Sequence, residues 1–336
     1  MSLIPDNEKP ASQRILTGDR PTGNLHIGHY IGSLKNRLSL QKKYDTYIII
    51  ADVQALSTHF NKSEILRDNV IKVLACYLAV GIDPEHSTIF LQSKVPEIPE
   101  LTLYFGMITS VASLQQNPTI KSEIKAGYAS DLSYGFLGYP VNQAADIAVF
   151  KANLVPVGID QVPHVELTRK IVRKFNQIYG TTLIEPEAKV GDIPTLPGLD
   201  GCDKMSKSLG NAIYLCDSND EIQSKIKKAK TDPARLHVED AGHPDVCTIF
   251  KYYSAFFQEH LIEITDKCTG AKWGCGHCKK RITELFCDFI TPIREKYFTV
   301  LNDKEQLLSL LLKGTEKARI TAAETMKEVR TGLCML

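Results

Sequence analysis

Residues 18–30 read GDRPTGNLHIGHY, a turn crowded with Gly and Pro. It joins a short apolar run at 15–17 to a helical stripe in which Ile27, Ile31, Leu34 and Leu38 fall at i, i+4, i+7 and i+11. A helix that opens on such a turn presents unpaired backbone N–H groups and a partial positive charge, which favours a phosphate. Gly23 and Gly28 let a flat nucleotide approach the backbone closely, and His26 and His29 can donate hydrogen bonds to phosphate oxygens. The bland alternative is a loop with two surface histidines.

Working outward, the apolar runs at 47–51, 88–91 and 154–157 have the length of strands buried on both faces. A second helical stripe, Leu66, Val70, Val73, Leu74, Tyr77 and Leu78, ends at Gly81. Strand and helix in alternation predict an α/β fold, a Rossmann-like doubly wound parallel sheet. Residues 96 to about 134 are helix-biased and read as an insertion between the halves of the sheet. Beyond about residue 219 the strand signal disappears, and 222–229, 246–257, 280–297 and 314–331 all look helical. The expected organisation is an N-terminal tail (1–13), a Rossmann-like catalytic domain (14–210) and a C-terminal all-helical domain (211–336).

Forty Lys and Arg against 39 Asp and Glu leave a formal charge of +1, so any nucleic-acid surface must be a local patch rather than bulk charge. No apolar run reaches the roughly 18 residues that cross a bilayer, and the N-terminus lacks the apolar core of a signal peptide. A cytoplasmic protein without a membrane partner is expected. In that reducing compartment nine cysteines suit buried thiols or metal ligands better than disulfides.

A second motif, KMSKS at residues 204–208, follows a loop rich in Pro, Gly and Asp. Lys204 and Lys207 stand three apart in a Gly-flanked segment, where two ammonium groups can close on a pyrophosphate as its charge develops. Alone, such a pair is most simply a solvated charge run.

Together, HIGH at 26–29 and KMSKS at 204–208 resemble the two signature motifs of class I aminoacyl-tRNA synthetases. Cytidylyltransferase-like enzymes share the HxGH turn without this KMSKS arrangement. The segment YPVNQAADIAVFKANLVPVGIDQVPHVELTR, residues 139–169, is similar to the bacterial tryptophanyl-tRNA synthetase family, and the similarity extends over nearly the whole chain. That resemblance implies activation of L-tryptophan by ATP with Mg2+, transfer to tRNA(Trp), and a homodimer with the insertion at its interface. It implies phosphate and ATP contacts from Gly18, Arg20, Pro21, Thr22, Gly23, Gly28 and His29, from Gly158, Asp160 and Leu196, and from Lys204, Met205, Ser206, Lys207 and Ser208. His26, His29, Lys204 and Lys207 are the expected catalytic groups.

The resemblance also assigns the indole N–H of tryptophan to Asp146 and the amino-acid substrate to Gln161. Indole nitrogen only donates, so a buried carboxylate supplies the acceptor and rejects a ring that lacks the donor. Tyrosine enzymes use an aspartate at the same place; Ala145, where they generally carry Tyr, favours tryptophan. Gln54 and Gln143 stand where many members have His and Met, which makes the pocket wall more polar. They resemble a second bacterial subgroup that reads ADVQAL and QAAD. Lys121 is a further phosphate candidate, or an ordinary exposed helix lysine. A catalytically silent RNA-binding paralogue is the alternative from another functional class.

Cys247, Cys268, Cys275 and Cys278 form a C-x20-C-x6-C-x2-C array whose Cys275-Gly-His-Cys278 end is a tight metal-site anchor. Four thiolates suit zinc or a [4Fe-4S] cluster, and unliganded thiols remain open. The resemblance favours the cluster, beside an anticodon-binding region. Trp273, among Lys272, Lys279, Lys280 and Arg281, could stack on an unpaired base, or the basic run is a solvated helix face.

Overall fold

In a computed structural model, the described residues are 13–125, 127, 132–190, 196–202, 205 and 209–335. Their strands are β1 (Arg14–Asp19), β2 (Asp45–Ile50), β3 (Ser87–Leu91), β4 (Leu154–Val157) and β5 (Glu187–Val190). All pair in parallel, in the order β3-β2-β1-β4-β5. The order reverses at the β1/β4 pair, and in such sheets ligands bind outside the carboxyl ends of the strands at that point. The predicted α/β class holds. β5 carries the polar sequence EAKV and gave no apolar signal.

The strands bury alternate residues on opposite faces. Ile48, Ile50 and Ile89 join one core, while Tyr47, Ile49 and Phe90 join the other. The first core is covered by α1 (Ile27–His29), a π-helical turn (Tyr30–Leu34), α2 (Lys35–Leu40) and α4 (Leu66–Val80), while α3 (Asp52–His59) contributes no side chain to it. α4 ends at Gly81, whose φ of 104° is the left-handed cap its sequence position predicted. The insertion consists of α5 (Glu97–Ile108), α6 (Val111–Gln115) and α7 (Pro118–Lys125). With α8 (Tyr134–Val149) and α9 (Val162–Tyr179), it encloses the second core.

The stripe predicted from Ile27 to Leu38 is interrupted. A π-helical turn occupies Tyr30–Leu34; after Leu34 the buried positions are Arg37 and Leu40, and Leu38 is only half-buried.

The C-terminal region holds α10 (Asn219–Lys228), α11 (Thr248–Phe256), α12 (Leu261–Thr269), α13 (Cys275–Leu301) and α14 (Lys304–Gly332). It is helical as expected, but α14 returns to the sheet. Leu307 and Leu311 sit in the first core, Ala322 and Met326 in the second. Between them α14 crosses β3 so closely that a Cβ on Gly314 would collide with the Ile89 carbonyl oxygen. The Leu91 N–H, on the outer edge of β3, donates to Thr315 Oγ1 at 3.1 Å. The edge strand is thereby covered and one of its amides satisfied. Among the described residues no helix is long and apolar enough to cross a membrane.

Candidate active site

β1 delivers the HIGH turn to the switch point. His26 caps α1: its Nδ1 accepts the Gly28 N–H at 3.1 Å, and His29 Nδ1 accepts the His26 N–H at 3.2 Å. A backbone N–H can only donate, so each Nδ1 is an acceptor and each neutral ring carries its hydrogen on Nε2. The sequence predicted two phosphate donors here, and the capping box fixes which nitrogen of each donates. A Cβ on Gly28 would lie 2.9 Å from the His26 ring and 3.4 Å from the Met205 sulfur, so only glycine permits this packing.

Met205 is buried against that turn. Lys204, Ser206, Lys207 and Ser208 lie outside the described residues. The stretch just after them is tied to the HIGH turn by an antiparallel bridge, His26 with Tyr214. Ile27 N–H donates to Ile213 O at 2.9 Å and Leu215 N–H to Leu25 O at 3.0 Å. Met205 and residues 213–215, some 180 residues beyond the HIGH turn in sequence, are thus brought against it.

Beneath the turn lies an ion pair that sequence reasoning missed. Arg37, 1% exposed, donates through Nη1 to Asp19 Oδ2 (2.7 Å), through Nε to Thr17 Oγ1 (3.1 Å) and through Nη2 to Gly18 O (3.0 Å). Tyr77 donates its hydroxyl to the same Asp19 oxygen at 2.8 Å. Burial works to raise the Asp19 pKa, but Arg37, His29 and Tyr77 overcome it and hold the carboxyl at about 2. Gly18, expected at ATP, has its missing Cβ filled by the Ile49 carbonyl, so that glycine serves the β1–β2 pairing. Arg20 is exposed; Pro21 and Thr22 face a small cavity with Ala55, Leu56, His59 and Asn69.

The amino-acid side of the crevice centres on α8. Asp146, 3% exposed, receives Gln92 Nε2 on both oxygens, each at 2.9 Å. Burial raises its pKa to about 7; the Gln92 hydrogen bond opposes this and the Asp52 charge adds to it. Asp52 is itself buried, with Oδ1 accepting the N–H groups of Val53 (3.1 Å) and Ser93 (2.9 Å). Gln54 meets Gln92 through its backbone, and the Gln143 side-chain oxygen is buried without a hydrogen-bond partner. Tyr139 lies two turns from Asp146 on the same helix. Its hydroxyl is 2.7 Å from Glu123 Oε2 and 3.0 Å from His164 Nε2. Burial pushes His164 down to about 4. Asp52, Gln92, Glu123 and His164 were missed; the one available signal for the first two is that each follows the carboxyl end of a strand.

After β4, Gly158 and Asp160 are exposed, and Gln161 Nε2 donates to Asp160 Oδ2 at 3.1 Å. Thr119 on the insertion donates to the Asp160 carbonyl at 3.0 Å. Leu196 is buried, and Lys121 is exposed on α7.

The four array cysteines line one small cavity, partly open to solvent. Burial raises the thiols of Cys247 and Cys268, and pushes Cys278 up to about 12; the neighbouring cysteines reinforce each shift. Among the described residues no three His, Cys, Asp or Glu side chains converge as a single metal ion requires. Neither zinc nor a [4Fe-4S] cluster is therefore shown at these cysteines. Trp273 lines this cavity half-buried, its ring tilted by 30° to that of His277 with centroids 4.4 Å apart, and Lys267 Nζ lies 5.7 Å from its centroid.

Residues 8–291 match the model of the family "tRNA synthetases class I (W and Y)". The tryptophan--tRNA ligase of Streptococcus mutans is 45% identical over 330 residues, covering 95% of this chain and 97% of that one. The chain belongs to the tryptophanyl-tRNA synthetases. Within that family, the tryptophan--tRNA ligase of Clostridium longisporum is 47% identical over 328 residues, 95% of this chain and 96% of its own. The tryptophanyl-tRNA synthetase of Campylobacter jejuni, solved with ADP and tryptophan, superposes with a TM-score of 0.85 at 34% identity, covering 96% of this synthetase and all of that chain.

Proposed function

We propose that this synthetase activates L-tryptophan with ATP to tryptophanyl-adenylate and pyrophosphate, and then passes the acyl group to tRNA(Trp). The observation that carries this reading is the junction of the HIGH turn with Met205 and residues 213–215 at the β1/β4 crevice. His26 and His29 hold phosphate oxygens through Nε2–H, and Lys204 and Lys207 meet the leaving pyrophosphate. Mg2+, when bound, neutralises charge on the phosphates. The tryptophan carboxylate attacks the α-phosphorus in line and the bond to the bridging oxygen breaks, so positioning and electrostatics suffice without a side-chain nucleophile. A terminal ribose hydroxyl of the tRNA then attacks the acyl carbon and AMP leaves. Tryptophan-dependent pyrophosphate exchange, run beside tyrosine and without amino acid, separates this from the tyrosine-specific and silent alternatives.

Asp146 accepts the indole N–H in this scheme, which gives a pH dependence. Its carboxyl titrates at about 7 in the folded chain, so equilibrium tryptophan binding without ATP should tighten as pH rises toward and past neutrality, then level off. Asp146→Asn should abolish that dependence. Stability runs the other way: the folded state holds the proton more tightly than the unfolded chain, so the contribution of neutral Asp146 is full below about pH 4 and is lost as pH rises through 7. Urea unfolding should therefore find the Asn variant gaining on the native protein at alkaline pH. Pocket affinity flat across neutrality in the native protein removes Asp146 from the indole.

The helical region drawn at 211–336 is proposed as the anticodon-binding part, and the cysteine cavity as its clip. Four cysteines that line one cavity support this reading, because four thiolates are the ligand set of a [4Fe-4S] cluster. Cys247, Cys268, Cys275 and Cys278 would hold it, and the cluster would order the segment between α12 and α13. Anaerobic protein should contain iron and sulfide in equal amounts, and Cys275→Ser should weaken tRNA aminoacylation while sparing pyrophosphate exchange. Metal-free protein with full aminoacylation overturns the clip. A homodimer is proposed through the insertion, where Leu103 and Met107 of α5 and Val111 of α6 are exposed apolar side chains. A cytoplasmic location accords with the reducing conditions free thiols need.

A further inference from the structure

Gln92 follows β3 directly and is 2% exposed. Its Oε1 accepts the backbone N–H of Gln54 at 3.0 Å. Its Nε2 lies 2.9 Å from Asn142 Oδ1 and 2.9 Å from each oxygen of Asp146. An amide nitrogen has two hydrogens and accepts nothing. One hydrogen therefore goes to Asn142, and the other is shared across the carboxylate.

Neither amide is able to turn over. Reversing Gln92 would set its nitrogen against the Gln54 N–H and its oxygen against three acceptors. Asn142 is fixed in the same sense, because its Nδ2 donates to Thr102 Oγ1 at 3.0 Å and Thr102 donates in turn to Ile98 O at 2.8 Å. The hydrogen bonds thus run in one direction from α3 through Gln92 and α8 to α5. Each link is a neutral group with one workable orientation, and the carboxylate stands beside the middle of the chain. The sharing of a single hydrogen leaves lone pairs on both Asp146 oxygens for another donor.

We infer that Gln92 is a positioning residue for tryptophan selection: its locked amide holds the Asp146 carboxylate in one plane, so that the indole N–H meets an acceptor already aimed at it. This rests on the reading of Asp146 as the indole acceptor. Pre-aiming matters because a carboxylate free to rotate would lose orientational entropy on every binding event and would accept a donor from other directions. The Gln92 hydrogen bond also favours the charged form of Asp146, against burial and against Asp52, the described charge that bears on it from α3.

The test is equilibrium binding of tryptophan, and of an analogue whose ring nitrogen is replaced by sulfur, across neutral pH. The native protein should prefer tryptophan at least tenfold; without that preference the Asp146 reading fails, whatever Gln92 does. Given the preference, Gln92→Met should move the midpoint of tryptophan binding up by about one pH unit and cut the preference about tenfold, the size expected for one hydrogen bond to a charged group. Gln92→Glu keeps the acceptor for Gln54 and puts a second carboxyl against Asp146, so its midpoint should move further up. A purely structural Gln92 would lower the melting temperature and leave both readouts in place, which overturns the inference. In the native protein the 15N-labelled side-chain amide of Gln92 should shift with the same midpoint; a resonance that ignores pH also overturns it.

Discussion

Arg37→Met should lower the free energy of unfolding by about 3–5 kcal/mol, the loss typical of removing one partner of a buried ion pair. The guanidinium is enclosed, and it satisfies Asp19, Thr17 and the Gly18 carbonyl at once. Methionine fills the volume but leaves the Asp19 carboxylate with Tyr77 and without the Arg37 charge. The double variant Arg37→Met, Asp19→Asn should recover much of the loss, since the uncompensated charge, rather than the missing attraction, sets its size. The Asp19 carboxyl is held at about 2 when folded, below its ordinary 3.8. Its contribution is therefore present above about pH 4 and is lost as pH falls through 2. Urea titration of the three proteins at neutral pH checks this. A single-variant loss under about 1 kcal/mol sinks the account, as does a double variant no more stable than Arg37→Met.

His26→Asn should reduce the rate of tryptophan-dependent pyrophosphate exchange by about 100- to 1000-fold, the cost of one donor aimed at developing charge. Asparagine separates two duties of this side chain. It is a good N-cap and can take over the Gly28 N–H, so the fold should lose little. It is too short to place a donor where Nε2 stands. His26→Ala loses both duties, and should show the same rate defect together with about 1 kcal/mol of lost stability. The defect should fall more on kcat than on KM for ATP if the bond strengthens as the α-phosphorus is attacked. Near-native exchange in the folded Asn variant would leave His26 as a cap and nothing more.

The parts of this architecture that could be read from sequence are those where burial imposes a period. Strands with both faces covered announce themselves as apolar runs, and β1 to β4 do so; β5, with Glu187 and Val190 exposed, has no such constraint. The π-helical turn at Tyr30–Leu34 was invisible because its apolar residues, Ile31 and Leu34, fit an ordinary helical stripe, and nothing in that stripe marked Arg37 as buried. The HIGH turn was legible as a Gly- and His-rich turn between a strand and a helix. Gln92 was not, because its importance lies in what its two ends touch, and Asn142 and Asp146 are some fifty residues away. The cysteine spacing foretold a common site but not that the thiols would ring a cavity. Gly18 shows a duty that its sequence position did not reveal, a glycine that makes room for a neighbouring strand.

The placement of α14 over β3 has a consequence for how the chain must be made. β3 is complete once residue 91 has been synthesised, but the helix that closes its outer edge ends only at residue 332. At ordinary elongation rates of about 5–20 residues per second, the nascent sheet carries an open apolar flank for on the order of tens of seconds. Through that interval the ribosome-bound chain needs shelter from its neighbours on the same message, and the final thirty residues serve as the seal that ends this dependence.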